Sequence, residues 1–315
     1  MFPLNHKENQ EKICIFAPIY PAYDWLLPIL IECVDYFWPD HPQMRFAGLE
    51  NSDVVLNDSG NVNWAALVRA GLQRIKVEGF TLAYLITEEH IPVRPCHVSH
   101  LNETLPRLMR QLSAVYISLM GWDNRRYSSR SPILGKEFFR LKHLSGFRDP
   151  RFHLHPALWQ IHVLERCCEI ALEDQSKNGS AWHFEKSNDK ATANLPNKWK
   201  QQCYQLCAAE MRREPLTRTE TFLRHLERIS YLKLMALYPL IPSRKLADSY
   251  FRLIGFDRVV CDGPYPMVFS GVFTKGKINP ILEKGLSTTQ FGREIYTRLL
   301  EETLSRARRI PSGSS

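Results

Sequence analysis

Two adjacent acids and a histidine, Glu88-Glu89-His90, stand one residue, Thr87, beyond a short apolar run, Leu82-Ala83-Tyr84-Leu85-Ile86. The run is too brief for a helix and lies between Gly79 and Pro92, the pattern of a strand buried on both faces. Carboxylates at the end of such a strand are costly to desolvate unless a cationic partner meets them. Ligands of open α/β sheets bind at the carboxyl ends of the strands. A hard divalent cation joining carboxylates to phosphates is one way to offset the cost. The plainer alternative is that both side chains simply point into water.

Two earlier stretches repeat the arrangement. Ile13–Ile19 reads as a strand followed by a polar turn with Tyr20 and Asp24, and Met44–Leu49 as a second strand running on to Asn51 and Asp53. If these strands are parallel to the one before Glu88, all three polar turns converge on one edge. The chain has no GxGxxG, no GxxxxGK[ST] and no GxSxG, which argues against a dinucleotide fold, an ATP cradle of the usual kind and an α/β hydrolase. Cys96, His97 and His100 with His90 match no standard zinc spacing.

The elements that would position these residues alternate. A helix is expected at Trp25–Phe37 with Asp24 as its N-cap, and another at Trp64–Lys76 capped by Asn63, with Trp64, Leu67, Val68, Leu72 and Ile75 on one face. A helix at His100–Gln111 and a strand at Ala114–Met120 follow. Strand and helix in turn over about 110 residues predict an α/β sheet layered with helices. Beyond Gly121 helices are expected at Ile161–Leu172, Lys198–Arg213, Thr219–Tyr238 and Gln290–Arg309, with a β-like stretch at Tyr265–Phe273.

At 315 residues and 44% hydrophobic, the chain has ample material for a core. The net charge of +8 suits phosphate-bearing ligands, nucleic acid or an anionic membrane surface. Lys and Arg are spread out apart from a concentration at 293–309, and no basic-aromatic run of the kind that tracks single strands occurs, so nucleic acid is not an expected partner. The basic last helix, with Ile295, Leu299, Leu300 and Leu304 along one side, suits either packing on the core or peripheral contact with an anionic membrane. No apolar run reaches the ~18–20 residues of a membrane span. The eight cysteines form no CxxC pair. A reducing, cytoplasmic setting is therefore expected.

Four segments, in this order, resemble bacterial glycosyltransferases of the GT-A fold, the set acting on surface polysaccharides. They are ICIFAPIYPAYD; NWAALVRAGLQRI with GFTLAYLI and TEEHIPV; FHLHPALWQIHVL; and SAWHFE. GVFTKGKINPILEKGL is similar to that set's closing strand and Gly-Lys turn. The resemblance implies a GT-A-like mixed sheet over residues 12–186, a mainly helical insertion at 187–262, a return segment at 263–286 completing the core, and a C-terminal helix and tail at 287–315. It implies sugar transfer, with inversion, from a nucleotide-diphosphate donor to a glycan, lipid-linked or other hydroxyl acceptor. Glu88 and Glu89 occupy the acidic-motif position, where aspartates are usual, and would hold Mg²⁺ or Mn²⁺ on the diphosphate. His90 would be a third ligand or a phosphate donor. Glu185 would be the general base, with Trp182 and Phe184 as an apolar wall beside it. Tyr20, Asp24, Asn51 and Asp53 would approach the nucleotide. His153 and His155 would line the acceptor side, and Arg125 would clamp the diphosphate. A non-catalytic nucleotide-sugar or glycan-binding member, and a nucleotidyltransferase, are the rival readings.

Overall fold

Alternation along the first and third strands decides the layers. In β1 (Lys12–Pro18) and just beyond it, Ile15, Ala17 and Ile19 belong to one buried cluster and Cys14 and Phe16 to another. The computed structural model describes residues 11–49, 62–119, 133–134, 140–143, 152, 154–173, 181, 184, 194–206, 266–274 and 277–309. A six-residue 3₁₀ turn (Pro21–Leu26) leads from β1 into α1 (Leu27–Phe37). Then come β2 (Met44–Ala47), α2 (Trp64–Val77) and β3 (Phe80–Leu85). In β3 and the residue after it, Leu82, Tyr84 and Ile86 face the first cluster while Phe80, Ala83 and Leu85 face the second. The strand is thus covered on both sides, as its unbroken apolar run required.

A short strand β4 (His90–Pro92), a π turn (His100–Thr104), α3 (Leu105–Gln111) and β5 (Tyr116–Ser118) follow. Next are β6 (Ile133–Leu134), β7 (Arg140–His143), β8 (Ala157–Gln160), α4 (Ile161–Glu173), α5 (Asn197–Lys200) and β9 (Cys203–Leu206). The chain closes with β10 (Phe269–Gly271), β11 (Phe273–Thr274), β12 (Lys277–Ile278), α6 (Pro280–Leu286) and α7 (Gln290–Arg309).

The principal sheet is mixed, in the order β2-β1-β3-β8-β5-β9-β7-β6. β1 is parallel to both β2 and β3, so the carboxyl ends of these three strands share one edge. β8 runs antiparallel between β3 and β5. Residues of α1, α3, α6 and α7 fill the cluster on one face, and those of α2 and α4 the cluster on the other. The protein is therefore α/β, with a mixed sheet and flanking helices, as the element pattern predicted.

One local expectation holds to the residue. Asn63 caps α2, its Oδ1 accepting from the Ala66 N–H at 3.1 Å. We expect Asn63→Ala to lower stability by about 1 kcal/mol in denaturant melts, because that N–H loses its acceptor. Gly48 ends β2 at φ +89°, and a Cβ there would lie 2.2 Å from the Ile19 carbonyl oxygen. Only glycine allows so close an approach between the turns after β1 and β2.

Others need correction. Asp24 is not the cap of α1: the helix is entered through the 3₁₀ turn, Leu26 takes the cap position with no side-chain bond, and Asp24 stands exposed within the turn. Pro28, which lacks an N–H, fits the first turn of α1 and sets its start. Where a helix was expected at Lys198–Arg213, the described residues form α5 and then the strand β9, which pairs in parallel with β5. Part of the expected helical insertion thus joins the principal sheet. The expected Thr219–Tyr238 helix lies outside the described residues. On α7 the apolar stripe divides: Ile295 and Leu299 are buried in the core, whereas Leu300 and Leu304 are exposed. Among the described residues, no helix is long and apolar enough to cross a membrane.

Candidate functional site at the carboxyl edge

The turn after β3 meets the turn after β1. Glu88 is buried, and its Oε1 accepts from the Tyr20 N–H at 3.4 Å, a contact spanning 68 residues of sequence. Burial raises the Glu88 carboxyl to about 8, with the neighbouring Glu89 adding to the rise; the backbone N–H groups of Glu88 and Tyr20 pull the other way without cancelling it. At neutral pH this carboxyl holds its proton. Glu89 is half-buried beside it.

The acidic turn is clamped from the far end of the chain. β4 pairs antiparallel with β10, placing Gly271 opposite His90, and the Val272 N–H donates to the Glu89 carbonyl at 2.7 Å. His90 closes the turn from within: its N–H donates to the Thr87 carbonyl at 2.9 Å, and its Nδ1 lies 2.6 Å from Thr87 Oγ1. Its Nε2 lies 3.0 Å from His155 Nδ1, and both rings pack against Phe269. His90 is partly accessible as a residue, but both ring nitrogens are engaged, and burial with the nearby His155 lowers its proton affinity to about 3. A neutral pair fits this geometry. With Thr87 donating to His90 Nδ1, His90 Nε2–H donates on to His155.

Aromatic rings border the acids. Tyr20 and Tyr23 sit 6.1 Å apart, Tyr23 stacks on Phe273 of β11 at 5.8 Å, and Trp25 meets the same phenylalanine at 6.0 Å. Burial, followed by the charges of Glu89 and Glu88, raises the Tyr23 phenol, which places that ring near both acids. The cluster of Tyr20, Tyr23 and Trp25 within one turn was visible in the sequence as YPAYDW. Its continuation through Phe273 was not.

The remaining expected residues fall into three groups. Tyr20, Glu88, Glu89 and His155 are brought to one edge, and Asp24 lies exposed on the turn beside Tyr23. Asn51, Asp53, Arg125, His153, Trp182 and Glu185 lie outside the described residues. Phe184 corrects an expectation: it does not wall an open sugar site but is buried against Trp64, rings 4.8 Å apart. Trp64 and Trp159 are core residues.

A divalent cation was expected on Glu88 and Glu89. Among the described residues no group of three His, Cys, Asp or Glu side chains is placed to hold a metal ion; Glu88 accepts from the Tyr20 N–H, and both ring nitrogens of His90 are engaged. A cation arriving on a diphosphate and ligated by Glu88 would have to displace the Glu88 proton.

The described residues define an α/β protein with a mixed sheet and flanking helices, in which the turns after β1 and β3 meet at the carboxyl edge of parallel strands. Compared with protein-family models and with curated proteins, the chain matches none.

Proposed function

We propose that the chain transfers a sugar from a nucleotide-diphosphate donor to a hydroxyl acceptor at the carboxyl edge of β1, β2 and β3. The observation carrying this reading is the meeting of Glu88 with the backbone of Tyr20. It brings together the turns of two parallel strands at the edge where α/β sheets commonly receive nucleotides. The mixed sheet with an antiparallel strand between parallel ones, and the order of the resembling segments, support the GT-A-like assignment. Glu185 is the proposed base, taking the acceptor proton as the hydroxyl attacks the anomeric carbon. Phe184, its neighbour in sequence, is anchored in the cluster on which Tyr20 also packs. Glu88, protonated, can donate to a donor hydroxyl or phosphate oxygen, and Glu89 can accept from a sugar hydroxyl. Inversion follows if attack and departure occur in one step on opposite faces.

The test is a thermal-shift panel of nucleoside diphosphates and nucleotide sugars, with and without Mn²⁺, on the wild type, Glu89→Ala and Glu185→Ala. Ligand at 100 times its Kd adds about 2.7 kcal/mol of apparent stability. A shift lost in Glu89→Ala and kept in Glu185→Ala, with turnover reduced about 10²–10⁴-fold in the latter, is the expected result. No shift with any nucleotide would sink the reading. Because Glu88 holds a proton, any Mn²⁺-dependent part of the shift is expected to grow as pH rises toward 8.

One observation favours a second reading. The inward-turned, neutral Glu88 suits holding a neutral ligand as well as it suits catalysis. Tight nucleotide-sugar binding with no turnover in the wild type would make the chain a binding module.

A further inference from the structure

We infer that Thr87 and His90 are positioning residues that hold His155 as a neutral imidazole with its proton on Nε2. His155 then serves the carboxyl edge as a hydrogen-bond donor to a ligand oxygen, not as a base. The tautomer stands apart from the proposed function; only the oxygen's belonging to the sugar donor or its acceptor rests on that reading.

Sheet topology brings His155 to this edge. β8 runs antiparallel between β3 and β5, and its first residue, Ala157, pairs with Leu85 and Ser118, the last residues of those strands. His155, two positions earlier, therefore stands where β3 and β5 end, beside the acidic turn. There its Nδ1 meets His90 Nε2 at 3.0 Å, with the ring planes 84° apart and Phe269 against both rings. The pairing of β4, which His90 opens, with β10, which Phe269 opens, holds the contact in place.

The buried end of the chain of hydrogen bonds sets its direction. Thr87 is 6% exposed, and among the described residues its hydroxyl has one hydrogen-bond partner, His90 Nδ1 at 2.6 Å. A buried hydroxyl hydrogen left without an acceptor costs the desolvation of that group. The Thr87 hydrogen therefore goes to His90 Nδ1, which must carry a lone pair. His90 then bears its own proton on Nε2 and donates it to His155 Nδ1. Burial, reinforced by His155, keeps a second proton off His90 at neutral pH, lowering its proton affinity to about 3. A charged His155 would set two N–H groups against each other at the 3.0 Å contact, so that ring is neutral too, with its hydrogen on Nε2. The reverse direction would leave His155 Nε2 as a lone pair, the form a general base needs, and would strand the Thr87 hydrogen. A fixed, neutral N–H suits a phosphate or hydroxyl oxygen and leaves the acceptor's proton to Glu185.

The test uses the full chain with ¹⁵N-labelled histidine at neutral pH, where the nitrogen shifts report which atom of each ring holds the proton. Signals are assigned by their loss in His155→Leu and His90→Gln. Both rings are expected to be neutral with the proton on Nε2, and to stay so in Thr87→Ser. In Thr87→Val, which keeps the shape and lacks the hydroxyl, His155 is expected to divide between its two tautomers. Binding of ADP, GDP and UDP and turnover of their sugars are followed in parallel. His155→Leu is expected to lower binding or turnover about tenfold, and His155→Gln, which keeps an N–H donor, to restore most of it. Loss of binding assigns the oxygen to the diphosphate; loss of turnover alone assigns it to the acceptor hydroxyl. A proton on Nδ1 of His155, a charged His155, a Thr87→Val spectrum like that of the wild type, or wild-type binding and turnover by His155→Leu each overturns the proposal. If no nucleotide binds, the ligand role falls with the proposed function, and the spectra decide the tautomer on their own.

Discussion

Glu88→Gln is expected to be more stable than the wild type at pH 8, and to abolish the loss of stability that the wild type shows between about pH 6.5 and 8. The buried carboxyl has its proton affinity raised from 4.5 to about 8. The folded chain therefore keeps a proton that the unfolded chain releases, and Glu88 contributes most favourably below pH 4.5. That contribution falls as pH rises through the interval to 8. A shift of this size corresponds to on the order of 5 kcal/mol, less whatever relaxation the site allows.

His90 acts in the opposite sense. Its value is lowered from 6.5 to about 3, so its contribution is full above pH 6.5 and is lost as pH falls toward 3. Between pH 4.5 and 6.5 the two slopes cancel, and their joint contribution is a plateau that declines on either side. Glutamine keeps the acceptor for the Tyr20 N–H and removes the ionisation, leaving a curve that rises to pH 6.5 and then stays level. Urea melts of both proteins at half-unit pH intervals would show this. Parallel curves above pH 6.5 would mean that Glu88 is not held as described.

The second large effect lies at Tyr84, on the strand that carries the acidic turn. Its side chain is fully buried, its ring meets Trp38 edge-on at 5.1 Å, and its hydroxyl donates to the Leu101 carbonyl in the π turn. Tyr84→Ala removes a large ring from the centre of one core face and is expected to cost about 3–5 kcal/mol. Tyr84→Phe keeps the ring and leaves the Leu101 carbonyl without this donor, for a loss of about 1–3 kcal/mol. Chemical denaturation separates the two. Equal losses would show that the hydrogen bond, not packing, dominates at this position.

The α/β class, the strands around Cys14 and Ala83, and the start of α2 at Asn63 were determined by the sequence alone. Each depends on local chemistry: an apolar run bounded by breakers, a 3.6-residue stripe, a side chain that reaches its own helix N-terminus. The convergence of Tyr20 and Glu88 followed once two strands were taken as parallel. Tertiary structure decided the rest, because pairing between distant segments leaves no local period. β8 enters antiparallel beside β3, and His155, two residues before it, meets His90 across 65 positions. Cys203–Leu206 was expected within a helix; four residues are too few to distinguish the two periods, and β5 beside them selected the strand. Phe184, expected at an open site, was drawn into the core by Trp64. Tyr23 gained its stacking partner only when residues 250 positions later folded back to clamp the acidic turn.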